Sequence, residues 1–139
     1  MMKVFVIIAA VSHTTTRRPT KLELAILDVL WQEGPGTVRD VLARLKKTRN
    51  AGYTTVLKML LIMNEKRLVV RDETTRPQVY RARLSRQTTQ RQLLKDLMQW
   101  AFGGSARTLV MQALSARKSS PEELEAMERL LDRLEGGSK

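Results

Sequence analysis

Apolar residues recur at helical spacing in three consecutive segments of the first half of the chain. Thr20 and Glu23 form a capping-box pattern, which predicts the start of a first helix that runs to about Gln32. The glycines and proline at 33–36 interrupt the pattern, and Thr37 can cap a second helix. The predicted buried faces of these two helices consist of Leu22, Ala25, Ile26, Val29, Leu30, Val38, Val41, Leu42 and Leu45.

A third helix and a β-hairpin follow a basic loop. The apolar spacing predicts this helix from about Thr54 to Lys66, and its buried face should consist of Val56, Leu57, Leu60 and Met63. Two short β-prone runs at 68–71 and 79–83 then flank a polar turn, which is typical of a hairpin. Three helices and a hairpin in a small basic segment indicate a winged helix-turn-helix domain, predicted at residues 19–84.

The remaining residues, 85–139, predict three further helices without a globular core of their own. Ser85 and Ser120 are candidate caps, and the GGS sequence at 103–105 separates the first of these helices from the second. Such helices need a partner, which an intertwined homodimer supplies; the alternative is that they fold back onto the first domain. The predicted fold is therefore mainly α, a winged helix-turn-helix domain with a small β-hairpin wing and a C-terminal three-helix dimerisation domain. The predicted dimer contacts are Leu93, Leu97, Phe102, Leu109, Leu114, Leu124, Met127 and Leu131.

The charge of the chain indicates a polyanionic partner. Lys and Arg total 25 against 14 Asp and Glu, which gives a net charge of +11. Residues 17–83 hold 15 of these cations and 7 of the acids, whereas residues 84–139 hold 9 and 7. A strongly basic first half predicts attraction to nucleic acid or to an anionic membrane surface.

The residue types present exclude several classes of function. There is no Cys, which removes disulfides, thiolate metal sites and Cys nucleophiles. The one His, His13, has no second His with which to share a metal. Neither a glycine-rich phosphate loop nor a plausible carboxylate pair indicates catalysis. We therefore expect no enzyme activity, no metal and no cofactor.

Residues 1–18 are predicted to form an N-terminal extension. The segment KVFVIIAAV at 3–11 is similar to the core of a signal peptide, but its basic region is weak and AVSH is a poor cleavage site. The apolar run is also too short to span a bilayer. We expect a cytoplasmic protein without membrane insertion, and the alternative of a membrane-surface protein rests on this segment alone.

The segment YTTVLKML at 53–60 places extra hydrogen-bonding groups at the start of the third helix. In a helix-turn-helix pair the second helix enters the major groove N-terminus first, where small polar side chains meet bases and phosphates. The alternative makes Thr54 a simple cap and Lys58 a solvated surface residue. The preceding helix, the following hairpin and the positive charge favour DNA contact. The predicted DNA-binding residues are Arg49, Asn50, Tyr53, Thr54, Thr55 and Lys58, together with Arg76 and Arg81 in the hairpin.

Several segments together resemble the BlaI/MecI/CopY family of bacterial repressors. They are ELAILDVLWQEGPGTVRDVLARL, GYTTVLKML, EKRLVVRDE, VYRARLS and AFGGS, and the similarity covers about residues 19–135. The resemblance implies a homodimer bound to an inverted repeat that overlaps a promoter. Carried over by position, it implies that Tyr53, Thr54, Thr55 and Lys58 lie in the recognition helix and Arg76 in the wing. The expected function is therefore sequence-specific repression of transcription; the alternative is a nonspecific nucleic-acid-binding or chromatin-associated protein.

The chain departs from the family pattern at three places. Ile62 is apolar where many members carry Arg, so the operator preference is expected to differ. The Cys-rich motif of the copper-responsive branch is missing, which excludes copper sensing by that route. In the β-lactam-responsive branch a membrane sensor-protease cuts an Asn–Phe bond, which aligns with Gln112–Ala113 here. Neither residue matches, so both relief by proteolysis and a sensor-protease partner are hypotheses.

Overall fold

A computed structural model of the protein describes residues 18–137. The predicted N-terminal extension therefore lies outside the described residues, apart from Arg18. The chain divides into two compact units, the first through Leu93 and the second from Leu94. This division falls inside a helix, whereas the sequence pattern placed the domain boundary before that helix, between residues 84 and 85.

Six helices and one antiparallel hairpin follow the predicted order within the described residues. They are α1 (Lys21–Glu33), α2 (Val38–Leu45), α3 (Tyr53–Glu65), β1 (Val69–Asp72), β2 (Val79–Ala82), α4 (Arg86–Ala101), α5 (Ala106–Ala116) and α6 (Pro121–Gly137). The prediction of a mainly helical fold, with a winged helix-turn-helix followed by a helical C-terminal region, is confirmed.

Capping side chains determine where the first two helices begin. The Thr20 hydroxyl accepts a hydrogen bond from the N–H of Glu23 at 3.2 Å, and Glu23 Oε1 accepts one from the N–H of Thr20 at 2.8 Å. Thr37 and Asp40 form the same reciprocal pair at α2, at 3.2 and 3.0 Å. The two predicted caps are therefore confirmed, and each box satisfies N–H groups that a first helical turn leaves without an intrahelical acceptor.

The core of the first unit is aliphatic apart from one aromatic ring. It draws buried side chains from all three helices and both strands: Ile26, Leu27, Leu30, Val38, Val41, Leu45, Val56, Leu60, Met63, Val69 and Tyr80. The predicted faces of α2 and α3 lie in this core or pack against it.

The predicted buried face of α1 needs a correction. Leu27 and Glu23 are buried, whereas Leu22, Ala25 and Val29 are only half-buried. α1 packs against α2 and also against β2. Its buried face is therefore rotated about the helix axis relative to the face that the apolar spacing predicted.

A short β-bridge joins the turn before α2 to the hairpin. The N–H of Gly36 donates to the carbonyl of Tyr80 at 3.0 Å, and the N–H of Tyr80 donates to the carbonyl of Gly36 at 2.8 Å. A Cβ on Gly36 would lie 3.0 Å from both Arg44 Nη1 and Asp40 Cβ, so the close approach favours glycine. Arg44 also donates to the carbonyl of Gly34 at 2.7 Å, which closes the same turn.

The start of α4 is attached to α1. Trp31 Nε1 donates to the carbonyl of Leu84 at 2.9 Å, and Arg86 Nη2 donates to Asp28 Oδ1 at 2.6 Å. The Arg86 guanidinium also lies 5.5 Å from the centroid of the Trp31 ring, within cation–π distance. Thr89, one turn further along α4, is buried. These contacts explain why the first compact unit continues past the end of the hairpin.

A buried ion pair connects the start of α1 to the end of α3. Lys66 Nζ lies 2.9 Å from Glu23 Oε1, and the two side chains are 17% and 1% exposed. The other oxygen of this carboxylate, Oε2, is buried and has no hydrogen-bond partner in residues 18–137. The Glu23 charge is therefore compensated at one oxygen only, by Lys66 and the N–H of Thr20.

We expect Lys66→Met to lower the free energy of unfolding by about 3 kcal/mol, because it leaves a buried carboxylate without its cation. Lys47→Met is the matched control, since it removes a longer and more exposed pair with Glu33, at 3.8 Å. That change should cost less than about 0.5 kcal/mol. Urea denaturation of both variants measures the difference. Similar small losses in both would show that the Glu23–Lys66 pair does not hold α1 to α3.

Candidate nucleic-acid interface

The first turn of α3 is polar and carries no side-chain cap. Gly52 occupies the N-cap position, and the N–H of Val56 makes a helical bond to its carbonyl at 3.1 Å. The N–H groups of the three residues before Val56 have no intrahelical acceptor, as at any helix start. Thr54 lies inside the helix and does not cap it, so the capping role considered for Thr54 as an alternative is wrong.

Burial divides α3 into an inner and an outer face. Val56, Leu60 and Met63 are buried in the core, which fixes the rotation of the helix about its axis. The first-turn residues are exposed, Tyr53 by 43%. Lys58 is also exposed and lies three residues beyond Thr55, one turn further along the same side. Leu61 and Glu65 are exposed further along α3, and the outer face is defined as its N-terminal exposed part, Tyr53, Thr54, Thr55 and Lys58.

The other predicted contact residues lie in the loop before α3 and in the hairpin. Arg49 and Asn50 are exposed in that loop, and Arg76 is exposed in the turn between β1 and β2. Arg81 is exposed on β2, near Asp72. The pKa of Asp72 is lowered mainly by the hydrogen bonds that it accepts from Thr74, at 2.6 and 2.9 Å, and to a smaller extent by the charge of Arg81. The nearby carboxylate partly offsets the charge of Arg81.

Cations near the outer face of α3 differ from those that support the fold. Lys66, Arg86, Arg71 and Lys47 each pair with a carboxylate. In the described part of the chain, by contrast, these cations form no ion pair: Arg39, Arg49, Lys58 and Arg76. Exposed cations without a carboxylate partner are available to a polyanion.

One cation at this surface was not singled out from the sequence. The Arg39 guanidinium carbon lies 5.4 Å from the centroid of the Tyr53 ring, so α2 and α3 contact each other on the outer side of the domain as well as in the core. The available signal was its place beside Val38 and outside the apolar stripe of α2. Sequence spacing could not indicate its ring partner, which belongs to another helix.

One known protein family matches most of the chain. A model of the penicillinase repressor family matches residues 19–133, from just before α1 into α6. The chain belongs to the penicillinase repressor family. No curated protein matches the chain significantly.

This match confirms the predicted resemblance to the BlaI/MecI family. Penicillinase repressors are DNA-binding regulators of transcription. Members of the family are regulators rather than enzymes, and the family implies both DNA binding and dimerisation. No helix within residues 18–137 is long and apolar enough to cross a membrane.

Proposed function

We propose that the protein represses transcription as a homodimer that binds an inverted-repeat operator, with α3 in the major groove of each half-site. The supporting observation is the two-sided α3, whose first turn is exposed, polar and uncapped while its opposite face is buried. In a helix-turn-helix the second helix of the pair enters the groove N-terminus first. Here that helix is α3, which follows α2 and packs against it.

The outer face of α3 supplies two kinds of DNA contact. Thr55 suits a base edge, because its methyl can touch the methyl of thymine and its hydroxyl can donate or accept. Tyr53 and Thr54 suit backbone phosphate, which the free N–H groups of a helix start also favour. Lys58, one turn deeper, suits a guanine edge or a phosphate. Base contacts give the repressor its specificity, and phosphate contacts fix its register on the duplex.

The loop before α3 and the hairpin turn supply further phosphate contacts. Arg49 and Asn50 lie in the loop a few residues before α3 and are exposed. Arg76 projects from the turn of the wing, which in this domain type meets the minor groove or the flanking backbone. Arg81 is the weakest of the proposed contacts, because Asp72 lies close enough to influence it.

Exposed apolar surface in the second unit supports dimerisation. In the single chain α5 buries no residue, and none of the side chains described for α6 is buried. All the predicted dimer contacts are half-buried or exposed: Leu93, Leu97, Phe102, Leu109, Leu114, Leu124, Met127 and Leu131. Trp100, which the prediction omitted, is 67% exposed. A second copy of the chain can cover these side chains through one self-complementary interface.

Two-fold symmetry then accounts for the form of the operator. A symmetric dimer presents two identical α3 helices, so its preferred site contains two inverted half-sites at a fixed spacing. The second half-site is bound at a high effective concentration, because the first contact already holds it close. Affinity for the full operator therefore depends on the second unit, although no residue of that unit needs to touch DNA.

We expect a fragment of residues 19–93 to fold as a monomer and to bind the full operator at least about 100-fold more weakly than the intact chain. This fragment keeps the Arg86–Asp28 pair and the buried Thr89. A fragment of residues 19–84 is the matched control, and should be less stable because it loses both. Sedimentation equilibrium and DNA titration measure the two properties. A stable dimer of the 19–93 fragment would refute dimerisation through the C-terminal helices.

Substitutions at Thr55 test base reading. We expect Thr55→Ala to cost about 1–3 kcal/mol on an operator selected from random-sequence DNA, and much less on an unrelated duplex. Thr55→Ser and Thr55→Val separate the two contacts, because Ser keeps the hydroxyl and Val keeps the methyl. Equal losses on both duplexes would show that Thr55 touches only phosphate. A wild-type protein that prefers no duplex would instead indicate a nonspecific nucleic-acid-binding protein.

We further propose that repression ends when the dimer is lost, through cleavage in α5 by a membrane sensor-protease. Gln112 and Ala113 are exposed within α5. Proteases bind extended chain, so α5 must open locally before this bond can be cut. In the single protomer α5 buries no side chain, so its opening is resisted mainly by the dimer contacts proposed for Leu109 and Leu114. The Gln112–Ala113 bond differs in both residue types from the Asn–Phe bond that the family resemblance implies.

This mechanism predicts that the full-length repressor disappears as the neighbouring operon is derepressed in cells exposed to a β-lactam. Fragments should end near residue 112, and immunoblotting alongside transcript measurement follows both events. A variant carrying Gln112→Lys changes the residue before the bond but keeps a helix-forming side chain, so cleavage should fall while a dimer assay shows that the dimer persists. Derepression with an intact, dimeric repressor would rule out cleavage and point to a ligand or a second partner.

A further inference from the structure

We infer that Arg39 is a further DNA-contact residue, a phosphate-binding guanidinium that the ring of Tyr53 holds at the start of α3. The inference rests on the proposed function, because it assigns a role within the same protein–DNA interface. Arg39 belongs to α2, so it adds a contact from the first helix of the helix-turn-helix pair to those proposed for the second.

The position of Arg39 is defined by one specific contact. Its guanidinium carbon lies 5.4 Å from the centroid of the Tyr53 ring, and both residues are exposed. Tyr53 is the first residue of α3, so the guanidinium lies beside the helix start proposed to enter the major groove. In this domain type the first helix of the pair crosses the DNA backbone, where a cation meets phosphate rather than bases.

Within residues 18–137, no acceptor forms a hydrogen bond with the guanidinium N–H groups of Arg39. Its neighbour Asp40 accepts the N–H of Thr37 at 3.0 Å in the capping box of α2. The other cation of α2, Arg44, donates to the carbonyl of Gly34 and so supports the turn. Within residues 18–137 Arg39 makes neither a hydrogen bond nor an ion pair. Apart from its contact with the Tyr53 ring, the Arg39 guanidinium therefore has no partner within residues 18–137.

A guanidinium held against an aromatic ring is positioned to bind a phosphate. A cation–π contact at 5.4 Å does not use the N–H donors in hydrogen bonds to an acceptor, so they remain available to a ligand. Those edges can bind phosphate oxygens through two parallel hydrogen bonds. The ring also restricts the rotamers of a long side chain, so less conformational freedom is lost when DNA binds. Tyr53 on this account both contacts DNA and positions Arg39.

The test compares Arg39→Ala with Arg91→Ala in the full-length protein. Arg91 is exposed on α4, so its substitution removes the same charge at a different place. Affinities are measured over a range of salt concentrations for a selected operator and for an unrelated duplex. Arg39→Ala should weaken both complexes about fivefold to tenfold and flatten the slope of log K against log salt by about one unit. Arg91→Ala should leave the slope unchanged.

Substitutions of Tyr53 test the positioning role. Tyr53→Phe keeps the ring, so Arg39→Ala should cost as much in that background as in the wild type. Tyr53→Leu removes the ring, so Arg39→Ala should cost clearly less there. Full additivity of Tyr53→Leu and Arg39→Ala would overturn the proposal that the ring holds the guanidinium. Thermal unfolding of each variant checks that the fold is retained.

Different results would refute the role of Arg39 and the proposed function. If Arg39→Ala changes neither affinity nor slope while Thr55→Ala still removes operator discrimination, the role of Arg39 is refuted and the proposed function stands. If the wild-type protein does not discriminate between duplexes, the proposed function fails, and the role of Arg39 as a contact in operator binding fails with it.

Discussion

The first unit depends on the pairing of Gly36 with Tyr80. Two backbone hydrogen bonds join the turn before α2 to the second strand of the wing, while the Tyr80 ring, 1% exposed, fills the core behind them. The approach is so close that a Cβ on Gly36 would press on Arg44 and Asp40. Because this bridge fixes α2 and the wing to each other, α3 is held between two elements that cannot move apart independently.

The exposure of the outer face of α3 follows from that arrangement. Val56, Leu60 and Met63 anchor α3 by burial, and a helix anchored along one side can display only the opposite side. The Glu23–Lys66 ion pair fixes the far end of the same helix against α1. A binding site works best when its supporting elements hold each contact group within a fraction of an ångström. In this unit the fixation comes from a small aliphatic core and a few polar contacts.

The features predicted from sequence are those that local chemistry determines. The capping box at Thr20 and the cap at Thr37 join residues three positions apart, so residue type and spacing were enough to predict both caps. The Glu23–Lys66 pair joins residues 43 positions apart, and Trp31 with Leu84 joins residues 53 apart. Such partners are chosen by tertiary packing, which the apolar spacing of a single helix does not contain. The same reason explains both the misplaced face of α1 and the missed contact between α2 and α3.

The two units of the chain differ in whether their apolar side chains are buried within a single protomer. The first unit buries most of its apolar side chains within one chain and leaves several exposed cations without an ion pair, so its outer surface is mainly polar and positively charged. In the second unit, leucines and a tryptophan remain exposed on its helices, so its outward chemistry is apolar. If a second copy covers that surface, as we propose, operator affinity depends on residues that never approach DNA. A signal that opens the second unit can then end repression while α3 keeps its structure, because the reading face and the assembly face share no side chain.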